Sequence, residues 1–168
     1  MASTPVRRSD ERLRRQVLLS LRPRFAQALL DESKLVELRR GSCRIPAEST
    51  CLVYASSPVQ AVLGIIVVTK TLAGAPLDIW SQHGPETGLA RREFDEYASG
   101  CRTLTALVIA SPRRFEKPIP LDELRELQPG FVVPQSYRYM DDRETSALLG
   151  YTAHGDQPAD VQHTSLQI

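Results

Sequence analysis

VLLSLRPRFAQALLDESKLVELRR, residues 17–40, places a strand, a helix, a turn and a second strand in one short stretch. VLLSL is an apolar run short enough for a buried strand, and Pro23 behind it suits the first turn of a helix, where its missing N–H leaves no partner waiting. From there Leu21, Phe25 and Leu29 recur at i, i+4 and i+8, and Ala26 and Leu30 widen the stripe into an amphipathic helix face. DESK closes the helix. In LVELRR, alternation sets Val36 and Leu38 on one face and Leu35, Glu37 and Arg39 on the other, so Lys34, Glu37 and Arg39 gather at one end of a small sheet.

The remainder of the chain reads as more strands and short helices. CLVYAS at 51–56 is a strand, Pro58 breaks it, and VQAVLGIIVVTKTL is a long β-branched run in which Gly64 suits a bulge or a close backbone approach. LDIWSQHG and LARREFDEYASG predict two helices whose Trp80, Leu89, Phe94 and Tyr97 cover one side of the sheet. RTLTALVIA returns to strand, SPRRFEKPIP reads as a proline-punctuated connection, and Leu121, Leu124 and Leu127 mark a short helix. FVVPQSYRYM is extended and aromatic, with Pro134 pointing to an edge. After Met140, ETSALLGY suggests one helical turn, and the polar stretch beyond Ala153 is expected to be unstructured.

These elements predict an α+β fold: a small, strongly bent mixed β-barrel of five or six strands with flanking short helices. The expected organisation is a basic extension over 1–15, one domain over 16–140 and a polar, partly disordered tail over 141–168. At 168 residues, with 42% hydrophobic residues, the chain suits a single core. AVLGIIVV, the longest apolar run, is too short to cross a bilayer, and no apolar stretch follows the arginine-rich start as a leader would require, so a cytoplasmic protein with no membrane partner is expected. Cys43, Cys51 and Cys101 are odd in number and lack metal-ligand spacing, and His83, His154 and His163 are dispersed; neither a metal nor a cofactor is expected.

The net charge of +1 is unevenly spread. Residues 1–44 hold eleven Lys or Arg against five Asp or Glu, and the rest of the chain ten against fifteen. Such an asymmetry points to an anionic partner for the N-terminal portion. The alternative is that Arg7, Arg8, Arg12, Arg14 and Arg15 only solvate a frayed terminus.

SLRPRFAQALLDESKLVELRR resembles the opening pattern of the ASCH family, small domains related to the PUA-like β-barrels: an apolar strand ending in Ser or a similar residue, a Lys/Arg-Pro element, a helix, then Gly-x-Lys-x-x-Glu-x-Arg. Lys34, Glu37 and Arg39 fall on the family's charged positions. VYASSPVQAVLGIIVV, RRFEKPIPLDELRE and PQSYRYM are similar to later family segments, so the resemblance spans roughly residues 16–140. The family's usual Gly is Glu32 here, which implies a turn of another form or a strained one. Some small family members hydrolyse acylated cytidine with a Thr nucleophile after the Lys and a later Glu. The corresponding position here is Glu37, and GIIVVTK supplies no carboxylate, which argues against that chemistry.

The resemblance implies binding of RNA or a nucleotide in a charged cleft formed by Arg22, Lys34, Glu37, Arg39 and Arg40, with Tyr137 as a stacking ring. Arg and Lys hold phosphate, and a fixed Glu accepts from an exocyclic amine. Tyr54, Tyr97 and Tyr139 are further candidate platforms. Without the resemblance, Glu37 and Arg39 read as an ordinary surface pair worth at most ~1 kcal/mol, and the tyrosines as core covers. Two alternatives stand beside RNA binding: a ribonuclease using Lys34 and Glu37 as acid and base, and a protein-interaction adaptor using the YRY edge at 137–139.

Overall fold

In the computed structural model, which describes residues 16–154, the opening stretch forms strand β1 (Gln16–Leu21), helix α1 (Pro23–Leu30) and strand β2 (Val36–Arg40). β3 (Ser49–Ala55) and β4 (Ala61–Gly74) follow, then α2 (Pro76–His83), a 3₁₀ turn (Gly84–Thr87), α3 (Arg91–Ala98) and β5 (Leu104–Pro120). The chain continues through α4 (Leu121–Leu127), β6 (Tyr137–Met140) and α5 (Asp142–His154). The six strands make one mixed sheet in the order β2-β5-β4-β3-β1-β6, curled into a half-barrel. β1 runs parallel to β3, and every other pairing is antiparallel. This is the expected α+β architecture. The basic extension expected over residues 1–15 and the stretch beyond residue 154 lie outside the described residues.

Curling depends on bulges, because an extra residue in one strand sharpens its twist. The β4–β5 ladder shifts register three times, between Val62 and Gly64, Ile65 and Val67, and Val68 and Lys70. Gly64 is required there: a Cβ at this position would lie 2.4 Å from the Arg113 carbonyl oxygen and 2.9 Å from Leu30 Cδ2. The close approach expected of Gly64 is therefore real, and it is what lets α1 settle onto β4.

SPRRFEKPIP, expected as a connection, is instead the second half of the 17-residue β5. Proline is admitted because Pro112 and Pro118 fall at positions with no paired residue in the β4 register, where a missing N–H costs no ladder bond. The domain also does not stop at Met140. α5 runs 13 residues, and Leu148 on it is fully buried beside Phe115, Leu124 and Phe131. Its start is fastened by Asp141, whose carboxylate accepts from the Glu144 N–H at 2.7 Å, a side-chain cap.

Three apolar clusters result. One lies under α1, built from β1, β3 and β4 with Ala26, Leu29 and Leu30. A second packs α4 and α5 on the opposite side. The third joins Val36 and Leu38 of β2 to Ile79, Phe94, Leu104 and Ala106, with Trp80, Leu89 and Tyr97 half-buried around them, as the helix pattern predicts. Between the first and third clusters, where β1 and β2 present their ends to α1 and α3, the surface opens into a cleft.

Candidate nucleotide cleft

Lys34 reaches the cleft through a strained turn. After α1, Asp31 accepts from Ser33, through both its backbone N–H at 3.0 Å and its hydroxyl, and the Lys34 N–H closes the turn on the Ala28 carbonyl at 3.0 Å. Glu32 at the corner has φ of 64°, a left-handed conformation that glycine adopts freely and a residue with Cβ does not. Of the two outcomes open to a chain with Glu32 at the family's Gly position, the structure takes the strained one. The turn brings Lys34 to the cleft.

Lys34 and Glu37 form a buried charged pair that the partly buried Arg39 joins. Lys34 is 2% exposed and Glu37 6%. Lys34 Nζ lies 3.4 Å from Glu37 Oε2, and Arg39 Nη2 lies 3.3 Å from Glu37 Oε1. Lys34 Nζ also donates to the Thr87 carbonyl at 2.5 Å, and sits 5.1 Å from the centre of the Phe25 ring. Arg39 Nη2 donates to the Ser20 carbonyl at 3.1 Å and Nη1 to the Ser136 hydroxyl at 3.2 Å. Burial holds the Lys34 ammonium below its ordinary pKa, and Glu37 opposes that pull through its charge and its hydrogen bond. A surface pair worth ~1 kcal/mol is thus the wrong description; desolvation makes each member of this group dependent on the others.

The group floors an open cleft of about 580 Å³. Ser20, Arg22, Arg24 and Phe25 line one side, Leu89, Glu93, Glu96 and Tyr97 the other, and Val133, Pro134 and Gln135 close the end. Glu93 and Glu96 at the rim are each engaged by an arginine, Glu93 by Arg24 and Glu96 by Arg92. Tyr97 donates its hydroxyl to the Leu38 carbonyl at 2.9 Å, which fixes the ring at the wall, and burial pushes its pKa up to about 12. Among the described residues no group of His, Cys, Asp or Glu could hold a metal ion.

Of the site residues read from the sequence, Arg22, Lys34, Glu37 and Arg39 come together. Arg40 does not: beside Arg39 on β2, it turns to the opposite face, donating from Nη2 to the Ser99 carbonyl at 2.9 Å and from Nε to Cys101 Sγ at 3.0 Å. Tyr137 also lies away from the cleft. It packs on the first core cluster and accepts from the Arg44 N–H at 3.1 Å, while Tyr139 donates to the Arg44 carbonyl. The two rings of YRY fasten a loop, and Arg138 between them pairs with Glu144. Tyr54 is buried in the second cluster. Tyr97 is the tyrosine candidate that the fold delivers to the cleft.

Two contributors escape a sequence reading. Phe25 follows the core-facing spacing of α1 yet stands half-buried under Lys34. Thr87 contributes a backbone carbonyl, which carries no side-chain signature, from a turn 53 residues away. Ser20 does leave a signal, as the lone polar residue of VLLSL.

No protein-family profile matches the chain. It is 32% identical over 141 residues to the ASCH domain-containing ribonuclease of Zymomonas mobilis subsp. mobilis, covering 83% of this chain and 94% of that protein. A crystal structure of ASCH from Zymomonas mobilis is similar with a TM-score of 0.76 at 30% identity, over 80% of this chain and 94% of that one. The large ribosomal subunit protein uL22 of Ureaplasma parvum is 25% identical over 114 residues, 68% of this chain but 37% of that protein. With its charged opening motif intact, the half-barrel in place and a relative matched over nearly its whole length, the chain belongs to the ASCH domain family.

Proposed function

We propose that the chain binds single-stranded RNA, or a nucleotide from it, in the cleft floored by Lys34, Glu37 and Arg39. The observation that carries the reading is a buried lysine and carboxylate, joined by a partly buried arginine, at the bottom of an open cleft large enough for a nucleotide. Charges taken out of water at a cost of several kcal/mol each are worth keeping where they meet a ligand. Arg22 at the rim attracts the phosphate backbone, Tyr97 offers a ring to a splayed base, and Glu37 keeps lone pairs for a base amine. The arginines before Gln16 add sequence-independent attraction. Two relatives bear names tied to RNA, a ribonuclease and a ribosomal subunit protein. No helix among the described residues is long and apolar enough to cross a membrane, and three free cysteines suit the reducing cytoplasm.

The test is fluorescence anisotropy of a labelled single-stranded RNA against salt. Binding should weaken linearly in log–log coordinates, and Arg39→Ala should weaken it strongly. No association at low salt would reject the reading.

A ribonuclease activity is the second reading, favoured by the relative's name and by the lowered pKa of Lys34 beside Glu37. Glu37 would take the proton of a 2′-hydroxyl as its oxygen attacks phosphorus, and Lys34 would protonate the departing 5′-oxygen, leaving a cyclic phosphate and a free 5′-hydroxyl. Denaturing gels decide it: Glu37→Gln should abolish time-dependent cleavage while binding persists, and RNA left intact by pure wild-type protein refutes it.

A further inference from the structure

Two polar atoms at the floor of the cleft are unspoken for. Ser20, 8% exposed, has its backbone N–H on the Ser136 carbonyl at 2.9 Å and its carbonyl on Arg39, yet its Oγ has no hydrogen-bond partner among the described residues. Arg39 commits Nη1 to Ser136 and Nη2 to Ser20 and Glu37, while its buried Nε is likewise unpartnered. A buried donor without an acceptor costs on the order of a made hydrogen bond or more, so native structures rarely tolerate two that share a contact unless something completes them. Because Arg39 Nη2 stands 3.1 Å from the Ser20 carbonyl, the two orphans flank one contact.

The charge count points the same way. Lys34 and Arg39 both lean on one carboxylate, Glu37, which leaves the floor one positive charge in excess. The other acidic residues of the cleft, Glu93 and Glu96, stand more exposed at the rim and have their own arginines. Two free donors and one surplus positive charge describe a seat for a group that bears a single negative charge and accepts hydrogen bonds.

We propose that the floor of the cleft seats one monoanionic phosphodiester of the bound strand, which accepts from Ser20 Oγ and Arg39 Nε. The inference rests on the RNA reading and specifies which part of the strand meets Ser20 and Arg39: the linkage goes there, leaving the base to Tyr97 and Glu37. Ser20 contacts the ligand and is not part of the scaffold.

The experiment compares wild type with Ser20→Ala on a short single-stranded RNA carrying 2′-O-methyl groups, which cannot be cleaved through a 2′-hydroxyl, and on the same oligomer with neutral methylphosphonate linkages. Inorganic phosphate is titrated separately into both proteins by NMR. Ser20→Ala removes an unpartnered hydroxyl, so thermal unfolding should show no loss of stability. Loss of a hydrogen bond to an anion predicts binding about tenfold weaker or more, and that difference should vanish on the neutral oligomer. If wild type binds the charged oligomer and Ser20→Ala binds it equally well, the phosphodiester seat is overturned and the RNA reading stands. If wild type ignores RNA but phosphate binds saturably and depends on Ser20, the seat stands and the RNA reading falls. If neither ligand binds, both fall.

Discussion

Replacing Lys34 by Met keeps the length and the apolar stem of the side chain and removes only the charge and its hydrogen bond. The methionine side chain can still lie against Phe25, so packing loss is small. What is lost is the 3.4 Å contact with Glu37 and the 2.5 Å hydrogen bond to the Thr87 carbonyl. Glu37 would remain buried with Arg39 alone, and breaking a buried pair by removing one partner costs about 3–5 kcal/mol. The internal control is Arg92→Met: its partner Glu96 is one turn away and the two side chains are 91% and 68% exposed, so at most about 1 kcal/mol is at stake. Urea unfolding at pH 7, with the slope held as a check on two-state behaviour, gives both numbers. Glu37→Gln and the double variant complete a cycle, in which the paired loss should be smaller than the sum of the singles by about 1.5–3 kcal/mol. If Lys34→Met costs no more than Arg92→Met, then the three charges are not mutually dependent, and their burial no longer points to a ligand.

Glu32→Gly should stabilise the protein by about 0.5 kcal/mol, since relief of roughly 1 kcal/mol of left-handed strain at φ 64° exceeds the entropy glycine adds to the unfolded chain. A lower unfolding midpoint would show that the Glu32 side chain contributes something the turn geometry does not reveal. Stability should fall as pH rises from 9 towards 12. Burial raises the Cys51 thiol from 9.0 to about 12, so the folded state holds its proton while the unfolded chain releases it, and the favourable term present below pH 9 is lost across that window, by up to about 4 kcal/mol at 1.36 per unit. Cys51→Ala should flatten the decline in pH-dependent urea midpoints. An unchanged slope would assign it to other groups, first to Tyr97, which is raised from 10.0 to about 12.

The legible parts of the molecule are those whose signal is local. Leu29, Leu30 and Ala26 mark the face of α1, Gly64 marks the close crossing, and Lys34, Glu37 and Arg39 are spaced within six residues. Each can be read because backbone periodicity alone decides where the side chain points. The second half of β5 could not be read that way. Its prolines argue against a strand until the β4 register is known, and only that register shows that Pro112 and Pro118 need no N–H. α5 was hidden for a related reason: its single deep anchor, Leu148, becomes informative only once Phe115 and Leu124 are seen to converge on it. Arg40 and Tyr137 illustrate the limit from the other side. Both sit beside residues of the cleft in sequence or sheet, and a strand sends neighbours to opposite faces.

The same contrast explains what kind of site this is. The short-range motif supplies the charges, but their state is set by long-range contacts: a carbonyl from the 3₁₀ turn, a serine hydroxyl from the segment before β6, and the wall formed by Tyr97 of α3. Remove those contacts and Lys34, Glu37 and Arg39 become solvated surface residues that hold a phosphate no better than any basic strand end. With them, the charges are largely withdrawn from water, fixed and out of balance by one, a setting in which the proposed anion would interact more strongly than in bulk water. On this reasoning the proposed binding in the cleft depends on the Gly84–Thr87 turn as much as on the motif itself. A relative that keeps the motif but lacks this turn should keep the fold and lose the floor of the cleft.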